Sequence, residues 1–74
     1  SENLNVPSVS VNEISMMVDG INEHMEYSID GGETYTKYTN IVTFDKNSTV
    51  YVRYFETADT LASKPVILKF GGGN

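Results

Sequence analysis

Apolar and polar residues alternate along much of this chain, in short runs separated by turn-forming residues. The clearest run is 24–29 (HMEYSI), which is followed by Asp30-Gly31-Gly32 and then by residues rich in threonine and tyrosine. A period of two predicts a half-buried β-strand. An Asp-Gly pair between two such runs is a strong hairpin signal, because glycine adopts positive φ at no steric cost. The pattern therefore predicts a hairpin that turns at 30–32.

The same pattern continues along the chain and predicts about seven short strands. They are placed at 8–12, 14–18, 24–29, 34–37, 41–44, 49–56 and 65–70. Short strands with regularly spaced turn signals, and no run of helical period, are typical of a β-sandwich or a small barrel. The chain is therefore predicted to be all-β and antiparallel.

The run 49–56 is the strongest predicted strand, because it is almost wholly β-branched or aromatic. Successive side chains point to opposite faces of a strand. Val50, Val52 and Tyr54 are predicted to face the core. Tyr51, Arg53 and Phe55 then face outward. The same alternation groups three residues on one face of other strands: Ile14, Met16 and Val18; Met25, Tyr27 and Ile29; and Val66, Leu68 and Phe70.

The length of 74 residues allows one small domain. Residues 1–7 are polar and end in Val6-Pro7, which predicts a linker, and 71–74 (GGGN) predicts a flexible glycine-rich tail. The domain is predicted at 8–70. The sequence contains no cysteine, so neither disulfides nor thiolate chemistry are available.

Charge excludes one class of partner. The net charge is −5, and the five basic residues are scattered rather than clustered. A nucleic-acid binder needs a clustered basic surface, so we do not expect this chain to bind nucleic acid. No apolar run approaches the roughly 20 residues of a membrane helix, and the first residues lack the pattern of a signal peptide. If the protein is exported, we expect this stretch to come from inside a longer precursor.

Few residues offer chemistry. His24 is the only histidine; with Glu23 and Glu26 it allows a weak divalent-ion site, but an exposed strand-start histidine is the favoured interpretation. The acidic turn 30–33 contains oxygen ligands for calcium, yet a hairpin turn explains its glycines without an ion. No nucleophile is matched with a base, and so short a chain is expected to offer little pocket volume. We expect no enzymatic activity, no metal and no cofactor.

Several segments together carry a family resemblance. They are 25–35 (MEYSIDGGETY), 38–44 (YTNIVTF), 49–54 (TVYVRY), 62–63 (AS) and 66–70 (VILKF). They resemble the immunoglobulin-like modules of large bacterial surface and secreted proteins, and are similar to the C-terminal accessory domain of chitobiase and β-hexosaminidase enzymes. Similar modules also decorate bacteriophage particles. The resemblance implies a small antiparallel immunoglobulin-like β-sandwich and a non-catalytic role outside the cell.

One position departs from the pattern, because related modules often carry tryptophan where this chain has Tyr35. Two hypotheses for function remain. The first is a structural or spacer module of a modular extracellular, cell-surface or phage-particle protein, with neighbouring domains as partners. The second is an adhesion module that binds surface carbohydrate or a host receptor through Tyr51, Arg53 and Phe55, since interfaces favour aromatic residues with arginine.

Overall fold

The computed structural model describes residues 4–71, which form two antiparallel sheets and no helix. The strands are β1 (Ser10–Asn12), β2 (Met17–Asp19), β3 (Met25–Ser28), β4 (Thr36–Lys37), β5 (Thr49–Tyr54) and β6 (Val66–Lys69). β1 and β2 form a two-stranded hairpin, and the second sheet has the order β4-β3-β5-β6. The all-β prediction is confirmed. The described residues contain six strands, one fewer than the number predicted.

The core lies between the hairpin and one face of the four-stranded sheet. Val50 and Val52 in β5 are completely buried, as predicted from their alternation. Val18 of the hairpin belongs to the same cluster, which therefore joins the two sheets into one packed unit. Its buried members are Val18, Met25, Phe44, Val50, Val52 and Phe70.

The predicted strand at 14–18 is wrong in its first half. Residues 13–16 form the turn of the β1–β2 hairpin, and Ile14 is 98% exposed rather than facing the core. The side-chain oxygen of Asn12 accepts hydrogen bonds from the backbone N–H groups of Ile14 and Ser15, both at 3.0 Å. An asparagine that satisfies backbone donors in this way favours a turn over a strand.

The predicted strand at 41–44 is also wrong, because this segment forms no sheet pairing. Phe44 is nevertheless buried, and its backbone N–H donates to the carbonyl of Met16 at 2.8 Å. The segment is thus held by one buried ring and a bond to the hairpin. Ile41 is 76% exposed.

The β3–β4 hairpin confirms the predicted turn but is shorter than predicted. Gly31 and Gly32 both have positive φ, at 80° and 93°. Pairing is limited to Glu26 with Lys37 and Tyr27 with Thr36. Ile29, placed on one face with Met25 and Tyr27, lies past the end of β3 and is 68% exposed. The turn begins one residue earlier than the alternation indicates.

Both ends of the domain are described only in part. Of the predicted linker, residues 4–7 are described, and Pro7 is buried. Of the predicted tail only Gly71 is described; 72–74 lie outside the described residues, as do 1–3. Within 4–71 the chain forms no helix long and apolar enough to cross a membrane.

Candidate binding face

The side of the four-stranded sheet turned away from the core is called the outer face here. Strand register assigns its residues, because side chains directly opposite in an antiparallel pair share a face. Glu26 lies opposite Arg53 on one side and Lys37 on the other. Tyr51 lies opposite Ser28 and Ile67. By the same alternation and pairing, the outer face includes Glu26, Ser28, Lys37, Thr49, Tyr51, Arg53, Ile67 and Lys69, with Phe55 directly after β5.

Arg53 is the centre of this face. Its Nε donates to Glu26 Oε2 at 2.6 Å, and its guanidinium carbon lies 3.7 Å from the centre of the Tyr35 ring. Glu26 is 8% exposed although it lies on the outer face. A carboxylate so shielded from water requires a charged partner, and Arg53 supplies one. Arg53 is thus engaged twice within the domain.

Phe55 and Lys37 form a second cation–aromatic pair. The Nζ atom of Lys37 lies 4.5 Å from the centre of the Phe55 ring. Both residues also line an open groove of about 470 Å³, together with Glu23, Tyr38, Thr39, Asn40 and Ile41. The groove places an aromatic ring, an ammonium group, a carboxylate and an amide beside one another.

Tyr51 and Tyr35 lie under the turn that joins β3 and β4. A Cβ atom built on Gly32 would be 3.3 Å from the hydroxyl of Tyr35 and 3.5 Å from the Tyr51 ring. The glycine therefore lets the turn approach both rings. Burial raises the pKa of the Tyr35 hydroxyl, and the charge of Arg53 partly opposes that rise. Tyr35 stays neutral at physiological pH.

Asp30 organises the same turn. Its carboxylate accepts hydrogen bonds from the hydroxyls of Ser28 and Thr34, and from the backbone N–H of Thr34 at 3.0 Å. The Ser28 hydroxyl, followed by the Thr34 groups, holds the Asp30 pKa well below its ordinary value. The carboxylate thus stabilises the turn through hydrogen bonds to Ser28 and Thr34. Among residues 4–71 no three histidine or acidic side chains are grouped so that they could hold a metal ion.

Two further grooves open on the surface. One of about 340 Å³ is lined by Tyr27, Ile29, Val42, Thr43, Phe44, Asp45 and Ser48. The other, of about 200 Å³, is lined by Asn5, His24, Tyr54, Phe55, Thr57 and Thr60. The expectation of little pocket volume is wrong, because grooves of several hundred Å³ fall within the size range of small-molecule sites.

The structure brings the three predicted binding residues to one side of β5 and leaves all three half-buried. Sequence reasoning missed their partners: Glu26, Tyr35 and Lys37. The alternation in 24–29 placed Glu26 outward, but only the register shows that it faces Arg53. No sequence signal placed Tyr35 beneath the guanidinium, because that contact depends on the path of the turn.

Comparison of the chain with protein-family models, with curated proteins and with solved structures gives no match. Inferences about function therefore rest on the geometry of the domain itself.

Proposed function

We propose that this domain is a non-catalytic spacer module of a modular extracellular, cell-surface or phage-particle protein. Its role is to separate neighbouring domains by a fixed distance. The observation that carries the proposal is that the described chain enters and leaves the domain at opposite ends of its central strand.

The first described residues lie at the end of β5. Asn5 lines a groove with Tyr54, the last residue of that strand, and with Thr57 beyond it. The last described residues lie at the start of β5. There the backbone N–H of Asn47 donates to the carbonyl of Phe70 at 2.8 Å, and that of Phe70 donates to Ser48 at 2.9 Å.

The separation between these two places follows from the strand between them. β5 runs from Thr49 to Tyr54. At a rise of about 3.3 Å per residue, the distance from its first Cα atom to its last is roughly 17 Å, before the loops at each end are added. A domain that the chain enters at one end and leaves at the other adds its own length to a row of linked domains. A domain that the chain enters and leaves at the same end would project sideways from the row and add little length.

The outer face supports the same role. Arg53 is paired with Glu26 and lies over Tyr35, while Lys37 lies over Phe55. Arg53, Glu26 and Lys37 thus each have a partner inside the domain, as expected of a spacer, which must be stable without a ligand. The proposed immunoglobulin-like class agrees with two antiparallel sheets that enclose one core.

The proposal is tested with chains that contain one, two or three copies of residues 1–74 in tandem. We expect the maximum dimension from small-angle X-ray scattering to increase by a similar amount with each added copy. Copies that fold back on one another, so that the third adds little length, would contradict it.

A matched pair of labelled chains tests the geometry directly. The sequence has no cysteine, so spin labels go only where cysteines are introduced. We expect a long distance for Asn5→Cys with Lys46→Cys, and a short one for Asn5→Cys with Thr57→Cys. Equal distances would remove the basis of the spacer proposal.

A second candidate function is carbohydrate or receptor binding through Tyr51, Arg53 and Phe55. The observation that favours it is the groove of about 470 Å³ beside Phe55, with polar side chains around an aromatic ring. Titration with a panel of cell-wall glycans, followed by amide chemical shifts, is expected to move signals at Tyr51 and Phe55 if this face binds. The variant Phe55→Ala should abolish those shifts, whereas Ile67→Ala, on the same face, should not.

A further inference from the structure

The first and last strands of the domain are fastened together where both end. β1 and β6 contact each other. Glu13 follows β1, Gly71 lies two residues beyond β6, and the backbone N–H of Gly71 donates to both carboxylate oxygens of Glu13, at 3.0 and 2.9 Å. Two contacting strands whose ends are joined in this way point toward the same end of the domain.

The backbone around Gly71 is specific to this arrangement. Gly71 has a φ of 71°, and a Cβ atom there would lie 2.8 Å from Lys46 Cγ and 3.1 Å from the backbone nitrogen of Asn47. The chain thus passes too close to the 45–48 turn for a side chain at this position. This conformation aims the Gly71 N–H at Glu13. Hydrogen bonds to an ionised carboxylate are among the stronger ones in proteins.

The direction of the two strands determines how the domain responds to tension. A force applied through the two ends of the chain pulls β1 toward the end where Asn5 lies. It pulls β6 the opposite way, toward the end where Gly71 lies. The two strands are then loaded in shear along their length, so their contacts and the Glu13–Gly71 bond resist together. Peeling would instead break the contacts one after another.

We infer that Glu13 and Gly71 form a mechanical latch that slows unfolding when the domain is stretched end to end. We call this pair the Glu13–Gly71 latch. The inference rests on the proposed spacer function, since only a domain linked on both sides carries such a load. It assigns Glu13, an exposed residue at a hairpin turn, a role in force resistance rather than in binding.

The test is single-molecule stretching of the 74-residue protein at constant force, in two pulling directions. In the first, handles are attached to the two ends of the chain. In the second, they are attached to the N-terminal end and to Lys64→Cys, which lies near Tyr54 because the Ser63 N–H donates to the Tyr54 carbonyl at 3.1 Å. In the second direction, β6 separates from its neighbours beginning at its first residue. The Glu13–Gly71 latch, at the other end of β6, then bears force last.

We expect Glu13→Ala to unfold roughly tenfold faster than the unsubstituted protein when pulled end to end, since the lost bond is to a charged group. Pulled through Lys64→Cys, the two proteins should unfold at similar rates. Glu33→Ala is the matched control, because it removes an exposed acidic side chain from a different turn. It should unfold like the unsubstituted protein in both directions.

Two outcomes would overturn the latch. One is an equal acceleration of Glu13→Ala unfolding in both pulling directions, which would show only a general loss of stability. The other is no acceleration in either direction. The latch and the spacer function fail separately. Compact tandem chains would contradict the spacer even if the direction-dependent effect of Glu13→Ala were found, and extended tandem chains without that effect would contradict the latch alone.

Discussion

The choice of residue is most restricted where the backbone takes a left-handed conformation and passes close to another part of the chain. Gly20 has a φ of 90°, and a Cβ atom there would lie 2.5 Å from the carbonyl oxygen of Ser8. Gly31 has a φ of 80°, but nothing lies within 4 Å of where its Cβ would be. The two glycines therefore separate the cost of backbone strain from the cost of a collision.

We predict that Gly20→Ala destabilises the domain by at least about 2 kcal/mol, because strain and collision act together. Gly31→Ala should cost only about 1 kcal/mol, since strain alone acts there. Urea unfolding of both variants gives the two free energies. Equal losses would show that the 7–8 segment moves aside and that the close approach at Gly20 does not matter.

Asp30 makes stability depend on pH, and the sign follows from its lowered pKa. In the unfolded chain an aspartate takes up its proton near about pH 4, whereas in the folded domain Asp30 stays ionised at that pH. The unfolded state therefore binds more protons as the pH falls. Stability from Asp30 is complete above the unfolded pKa and is lost progressively below it.

We predict that lowering the pH from about 6 to about 3 weakens the unsubstituted protein more than it weakens Asp30→Asn. The substitution removes the charge whose hydrogen bonds produce the effect. Urea midpoints measured across this range give the difference. Glu33→Gln changes a charge in the same turn and should follow the unsubstituted protein; if it behaves like Asp30→Asn, the effect belongs to the overall charge of the turn.

At the scale of elements, the sequence predicts the strands well where alternation coincides with burial. β3, β5 and β6 lie inside their predicted runs, and Val50 and Val52 are buried as predicted. The errors lie at 14–18 and 41–44, where apolar residues are present but the backbone is held by other groups. Asn12 turns the first segment, and a single bond to Met16 holds the second. Apolar content alone does not show whether a backbone has a strand to pair with.

The candidate face was predictable only in part for a related reason. Alternation within β5 places Tyr51 and Arg53 on the side away from the core. Which residue faces Arg53 depends on the register of β3 against β5, and the path of the turn decides that Tyr35 lies beneath it. Both depend on contacts between residues far apart in the sequence, which periodicity does not report.

We predict that Phe44 is the main attachment of the 41–44 segment, with partly buried Val42 packed beside the core. Phe44 is 8% exposed and contacts Tyr27 edge-to-face at 5.4 Å between ring centres, and Phe70 at the same distance. Phe44→Ala should cost about 3–5 kcal/mol, a large part of the stability of so small a domain. Ile41→Ala, at an exposed position in the same segment, should change stability by less than about 0.5 kcal/mol. Thermal or urea unfolding measures both, and a small effect of Phe44→Ala would contradict this assignment.

At the scale of the whole molecule, the two sheets should behave as one cooperative unit. The β1–β2 hairpin has only three-residue strands and could not be stable by itself. Its Val18 is 5% exposed in the same core as Val50 and Val52, and the hairpin is further joined to the rest by the Phe44–Met16 bond and the Glu13–Gly71 latch. Opening the hairpin would expose the core of the larger sheet.

We therefore predict that amide hydrogens in both sheets exchange through the same global opening. The amides of Val18 and Val50 should show similar free energies of opening in native-state hydrogen exchange, and similar sensitivity to added urea. If the Val18 amide exchanges with a much lower free energy than that of Val50, the hairpin opens independently. The shared core would then be insufficient to make the two sheets unfold as one.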